Sequence, residues 1–228
     1  AKNGKSPGAD GIPTEFYKWL TEQAREYVLD ILNVLWENEW FLETMQEANV
    51  VTLYKKGNVE EQANYRPISL LQTIYKIYAG LIKNRLADGL DERIWRLQFG
   101  FRGNKSTAQA MFICRRLQDI AERSDEALTM IFLDWEKAFD KVYQDELINA
   151  VRRMSIPGKM KNTLESFYRN PTFRIKDRDG KSDWRKQRTG IRQGCPLSPY
   201  LFVTFMTTFF HDVEKDVGEK CIENVWTQ

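Results

Sequence analysis

Histidine is almost absent from this sequence: His211 is the single one among 228 residues. That excludes a His-rich metal centre and leaves little scope for imidazole general-base chemistry. Cysteine is scarce as well. Cys114, Cys195 and Cys221 lie far apart and form no C-x-x-C, so neither a zinc ribbon nor a disulfide framework is indicated. No histidine is near Cys195 in sequence to activate it as a nucleophile. Charge of one sign is lacking too. The formal net charge is +2, so no whole-molecule field draws in polyanions, and any nucleic-acid surface must arise from local clustering. Long apolar runs are missing: "YLFVTFMTTFF" (200–210) covers 11 residues, three of them threonine, too few to cross a bilayer. The N-terminus "AKNGKSPGADG" has no apolar core of a signal peptide. These absences lead us to expect an intracellular chain without a membrane partner, nuclear or cytoplasmic being undistinguished. A catalytic metal, if one is used, should be held by carboxylates, which favours hard ions such as magnesium. With no initiator methionine, the chain reads as a piece of something longer.

What is present fits a globular protein. Hydrophobic residues make up 42% and charged residues 29%, enough for one large domain or two modest ones with a real core. Thr21 is placed to cap a helix on which Tyr27, Val28, Ile31, Leu32, Leu35 and Trp36 recur at helical spacing. "NVVTLYKKG" (49–57) reads as a strand ending in a basic turn. "EEQANYRPISLL" reads as irregular, because Pro67 disfavours a helical Arg66. A second amphipathic helix is predicted from about 72 to 90, and a third from Ser106, whose pairing with Gln109 fits a capping box. "ALTMIFLD" (127–134) is the best candidate for a buried strand. Helices are predicted after Asp145 and over roughly 159–169. Asp179-Gly180 signals a hairpin, and Ser198-Pro199 opens a last helix. Strands and helices that do not strictly alternate predict an α+β architecture.

The stretch "FLDWEKAFD" (132–140) sets three acids behind an apolar run. An acid at the end of a buried strand is rigidly held yet reaches solvent, so Asp134 could hold a divalent ion with little wobble. It could equally be an ordinary strand-end acid accepting turn N–H groups. Glu136 and Asp140 form an i, i+4 pair if helical and are less suited to share that direction.

These residues resemble motif A of reverse transcriptases of the non-LTR retrotransposon and group II intron kind. Further stretches resemble the family in its order. They are "KSPGADGIPTEFYK" (5–18), "NYRPISLLQTIYKIYAGLIKNRL" (64–86), "QFGFRGNKST" (98–107) and "GIRQGCPLSPYLF" (190–202), the last resembling motif B. The resemblance implies a right-hand polymerase, with a fingers-like region at 1–125 and a partial palm at 126–228. It implies template-directed addition of deoxynucleotides to a primer 3′ end, helped by two magnesium ions, with Asp134 as catalytic residue and metal ligand. RNA template, DNA primer and dNTP are the implied partners. Phe139 aligns with the gate that would exclude a ribose 2′ hydroxyl, its ordinary alternative being a core aromatic. The backbone of 135–138 would cradle the triphosphate. Gln193 and Gly194 would lie beside the nucleotide, the glycine allowing close backbone approach.

Arg66 and Lys76 are further candidates for the triphosphate, the first as a guanidinium fork and the second as a point charge; Lys55 and Lys56 are weaker ones. A surface ion pair is the ordinary reading of Arg66, and Lys76 lies on a helix between core positions 74 and 77. From Arg174 to Arg192 there are eight Lys or Arg against three Asp, with Trp184 between them. Such a hairpin suits contact with a nucleic-acid backbone, or is merely solvated. Arg185, Lys186 and Arg188 are its nucleic-acid candidates. Arg102 and Lys105, near a helix start, are template candidates.

One feature of the family is missing: the Y/F-x-D-D turn, since no Asp-Asp dipeptide occurs anywhere. We therefore expect a chain truncated before that turn, without thumb or endonuclease, inactive alone, and prone to self-association through an open palm edge. The rival reading is a catalytically silent nucleic-acid-binding module derived from such an enzyme. An RNA-dependent RNA polymerase is disfavoured by Phe139.

Overall fold

The computed structural model describes residues 3–177 and 180–217. Its first elements are a short helix α1 (Thr14–Lys18) and the longer α2 (Glu22–Glu37). Thr21 caps α2 as expected, its Oγ1 accepting the Ala24 N–H at 3.3 Å. Only part of the apolar stripe of α2 is covered. Leu32 and Leu35 are buried and Val28 and Trp36 pack against the core, whereas Tyr27 and Ile31 face solvent.

Strands β1 (Glu47–Tyr54) and β2 (Tyr65–Leu71) pair antiparallel, with Leu53 opposite Arg66. The expectation of an irregular 60–71 is corrected over Tyr65–Leu71. Pro67 is accommodated because β2 is an edge strand, where a missing ladder N–H costs least. Helices α3 (Thr73–Leu90) and α4 (Thr107–Ser124) follow close to their predicted bounds. At α4 the Ser106 N–H donates to Gln109 Oε1 at 2.9 Å, one half of the capping box. After a short α5 (Ala138–Lys141) come α6 (Gln144–Arg153) and α7 (Gly158–Ser166). Strand β3 (Thr172–Ile175) joins β1 in parallel, β4 (Arg185–Lys186) joins β3 antiparallel, and α8 (Ser198–Val217) closes the described chain. The sheet order is β2-β1-β3-β4. At the hairpin turn the Asp177 N–H donates to Gly180 O at 3.0 Å, while Arg178 and Asp179 lie outside the described residues.

This is an α+β architecture. Its core draws on both halves of the chain, from Leu35 and Tyr75 to Leu164, Phe167, Leu197 and Leu201. An aromatic cluster sits at the centre. Phe41 lies 4.5 Å from Phe167, which stacks on Tyr78 at 5.6 Å. Among the described residues no helix is long and apolar enough to cross a membrane.

The predicted strand 127–134 is not a strand. Its residues form neither helix nor strand, and Ile131, Phe132 and Leu133 are each about four-fifths exposed. The periodicity was that of a buried strand, but a strand needs a neighbouring edge to satisfy its N–H and C=O groups, and the four-stranded sheet offers none here. Helix α4 shares this exposure, with none of its residues buried and Met111 and Phe112 in solvent.

Candidate functional site

The turn after Asp134 is built by Lys137, which adopts a left-handed φ of 51° and starts α5. Its carbonyl accepts the N–H groups of Asp140 at 2.9 Å and Lys141 at 3.1 Å, so two donors of the turn are used internally. The side chain of Lys141 bonds Glu136 at 2.8 Å. That ammonium holds the exposed Glu136 carboxyl below the usual carboxylate range.

This turn is stitched to the segment that precedes α8. Ile191 N–H donates to Phe139 O at 2.8 Å and Gly190 N–H to Val142 O at 2.7 Å. Gly190 has a φ of +80°, and a Cβ there would meet Asp140 O at 3.0 Å, so a glycine is required by both conformation and space. Gln193 then bridges two elements. Its carbonyl accepts the Ser69 N–H of β2 at 2.8 Å, and its Nε2 donates to Asp140 Oδ1 at 2.9 Å. At Gly194, φ is +128° and a Cβ would fall 2.5 Å from Ser69 O. The close neighbour that requires a glycine here is the protein's own strand β2, whereas the approach expected from the resemblance was to a nucleotide.

Phe139 is half-buried between two other motifs. Its ring stacks on Phe202 of α8 at 4.9 Å and meets Phe101 edge-on at 6.0 Å. Three segments distant in sequence, 98–107, 132–140 and 190–202, thus converge on one ring. Arg66 is exposed on β2, three residues before Ser69, in a strand and not in the loop that Pro67 suggested. Lys76 is half-buried on α3. Burial along α3 pushes its ammonium below the ordinary range, and Asp10 of the N-terminal loop acts in the opposite direction.

Asp134 is exposed, and no hydrogen bond or ion pair engages it among the described residues. Nor do three acidic, histidine or cysteine side chains gather anywhere among the described residues in a way that could hold a metal. One carboxylate does not make a two-ion centre, so these residues by themselves do not fit a magnesium pair.

Of the basic candidates, Arg102 is turned inward. Its Nε and two terminal nitrogens donate to both carboxylate oxygens of Asp91 and to the carbonyls of Asp91, Trp95 and Gln98. All five N–H groups of a guanidinium are then engaged, which leaves none for a phosphate in this arrangement. The Arg102 hydrogen bonds hold the Asp91 carboxyl below its usual range. Lys105 is exposed, its ammonium 6.0 Å from the Phe99 ring. Arg185, Lys186 and Arg188 are exposed on β4 and the segment after it. Arg174 stacks on Trp184 at 4.3 Å and bonds Asn49 at 2.8 Å. Arg192, counted with this hairpin by sequence, is buried and donates to Gln46 O, so it adds nothing to the exposed charge. A groove of about 670 Å³ beside the hairpin is lined by Lys176, Asp177 and Lys181, by Asn49 and Val51 of β1, and by the N-terminal loop at Ser6 and Gly8.

Sequence reasoning missed four contributors: Ser69, Phe101, Gly190 and Phe202. Gly190 carried a signal, as the first residue of the motif that resembles motif B. Ser69, Phe101 and Phe202 also lie inside the quoted motif stretches, but which residue of each stretch meets the site is set by tertiary contacts.

A family model described as reverse transcriptase (RNA-dependent DNA polymerase) matches residues 54–224. The chain is 34% identical over 206 residues to a "Probable RNA-directed DNA polymerase from transposon BS" of Drosophila melanogaster, covering 88% of this chain and 22% of that protein. It is 29% identical over 204 residues to the "RNA-directed DNA polymerase from mobile element jockey" of the same organism, with the same two shares, 88% and 22%. To the "Retrovirus-related Pol polyprotein from type-1 retrotransposable element R2" of Nasonia vitripennis it is 26% identical over 215 residues, covering 92% of this chain and 20% of that protein. The chain therefore spans about a fifth of the length of these relatives.

Proposed function

This chain belongs to the reverse transcriptase family, and from that premise we propose that it forms the nucleotide-facing part of an RNA-directed DNA polymerase. In this reading residues 1–125 act as fingers and 126–228 as part of the palm, and the longer protein adds dNTP to a DNA primer on an RNA template. The observation that carries it is the convergence on Phe139. Phe101 of the loop before α4 and Phe202 of α8 meet at the Phe139 ring, and Gln193 bonds the neighbouring Asp140, so residues of three separate motifs adjoin one another as a nucleotide site assembled from them requires.

Each candidate then has a role. Phe139 supplies bulk against a 2′ hydroxyl, while Phe202 and Phe101 hold its ring. Gln193 and Gly194 line the nucleotide, and Arg66 and Lys76 neutralise triphosphate charge. Lys105, Arg185, Lys186 and Arg188 contact strand phosphates, with Lys176 and Lys181 on the adjoining groove; these contacts position a strand without reading its sequence. Arg102 supports the loop that carries Lys105. Asp134 would supply one ligand to magnesium, which further carboxylates would have to complete; when bound, the ions would supply Lewis acidity at the reacting phosphate.

The single carboxylate favours a second reading for the chain taken alone, a catalytically silent nucleic-acid-binding module. A comparison of dNTP and rNTP binding tests the choice. The polymerase reading expects dNTP to bind more tightly, with Phe139→Ala reducing the preference. Equal binding of both by the parent and the variant would remove Phe139 from the nucleotide site.

A further inference from the structure

We propose that Asp140 is a positioning residue for Gln193, setting which end of the glutamine amide is presented to the incoming nucleotide. The inference rests on the nucleotide-lining role of Gln193 given above. Among the described residues, of the three acids in "FLDWEKAFD", Asp134 has no partner and Glu136 is paired with Lys141, whereas Asp140 reaches across to another motif, its Oδ1 accepting from Gln193 Nε2 at 2.9 Å. Both ends of this bond are anchored through the backbone. The Gln193 carbonyl is held by the Ser69 N–H at 2.8 Å, and the Asp140 N–H by the Lys137 carbonyl at 2.9 Å. Gly190 packs directly against the Asp140 carbonyl.

The chemistry of the pair then decides an orientation. A glutamine amide has two ends of nearly equal shape, one that donates and one that accepts. A carboxylate has no proton to give, so only the nitrogen can face Asp140, and Oε1 is left as the group available to a ligand. An asparagine at 140 would keep the volume and still form a hydrogen bond. It would do so with either end of the amide, because its own side chain offers both a donor and an acceptor. Asp140→Asn therefore removes the choice of orientation and little else, which separates positioning from mere support.

The test uses the 228-residue chain with its glutamine side-chain amides labelled with nitrogen-15, together with Asp140→Asn, Gln193→Ala and the double variant. In the parent, the Gln193 amide should give one pair of proton signals, one of them displaced by the carboxylate. In Asp140→Asn these signals should shift and double or broaden, with the melting temperature within about 2 °C of the parent. In titrations with dNTP and magnesium, each single variant should weaken binding about tenfold, and the double variant no further than the worse single one. Unchanged Gln193 amide signals in Asp140→Asn, or losses that multiply in the double variant, would overturn the proposal. If Gln193→Ala leaves dNTP binding untouched while the amide signals still respond to Asp140→Asn, it is the nucleotide-lining role of Gln193 that falls, and the anchoring by Asp140 stands.

Discussion

At the scale of single residues, the most constrained position is Gly194. Its φ of +128° and the 2.5 Å that would separate a Cβ from Ser69 O leave no room for a side chain. Gly194→Ala should destabilise the fold by about 1–3 kcal/mol, read as a lower midpoint in urea at unchanged slope. Arg102 shows a different kind of constraint. Its side chain is almost fully buried while Asp91 stays partly in water. Arg102→Ala leaves several carbonyls of the 91–98 loop unsatisfied and should cost about 2 kcal/mol, with lysine unable to restore the fork. The ion pair also has a pH signature. The folded Asp91 carboxyl titrates below its unfolded value, chiefly through the Arg102 hydrogen bonds. Its contribution is therefore present above the unfolded carboxylate range and is lost as pH falls through the depressed folded value. Acid unfolding followed between neutral pH and pH ~2 should begin at higher pH in Arg102→Ala than in the parent.

At the scale of elements, the hairpin of β3 and β4 presents Arg185, Lys186 and Arg188 to solvent, whereas Arg174 is committed to Asn49 and Trp184 and Arg192 is buried. Replacing those three exposed cations by glutamine should weaken binding to single-stranded RNA of any sequence. The slope of log affinity against log salt should fall by about 2 for three lost contacts. An unchanged slope would remove the hairpin from the nucleic-acid surface. The 127–134 segment has a different liability. Ile131, Phe132 and Leu133 are exposed, and Phe132 lines a groove with Gln118, Ala121 and Glu122 of α4; exposed apolar side chains of this kind favour association. Phe132→Asp should reduce concentration-dependent self-association in sedimentation velocity, with little change in the melting temperature because the ring is already in water.

At the scale of the whole molecule, one core joins elements from both ends of the chain, and β1 is the hub of the sheet, antiparallel to β2 and parallel to β3. The Phe41–Phe167–Tyr78 cluster ties α3 and the residues after α2 to the end of α7. Phe167→Ala should lower stability by about 3–5 kcal/mol, measured by denaturant unfolding, because the cavity opens at the centre of this packing. The catalytic consequence is also global. With one unpartnered carboxylate at the turn among the described residues, we expect no primer extension by the 228-residue chain, and loss of extension on Asp134→Ala in a longer protein that contains it. Extension by this chain that disappears with Asp134→Ala would refute the first expectation.

Much was legible in the residues because it is decided locally. Thr21 and Ser106 mark helix starts through groups within three residues, and Gly194 announces a close approach because few other reasons call for glycine in that place. The family was legible for a related reason: its motifs are short, contiguous and ordered. What the sequence could not decide were pairings across the chain. "ALTMIFLD" has the composition of a buried strand, but whether a strand forms depends on an edge that lies elsewhere. Arg66 and Pro67 sit in a strand because β1 is there to receive them. Arg102 and Arg192 carry the same charge as Arg185, and only burial separates the inward cations from the solvent-facing one. The partner of Asp140 is 53 residues away along the chain, and a hydrogen bond over that separation is created by the packing of two backbone segments, which no local pattern encodes.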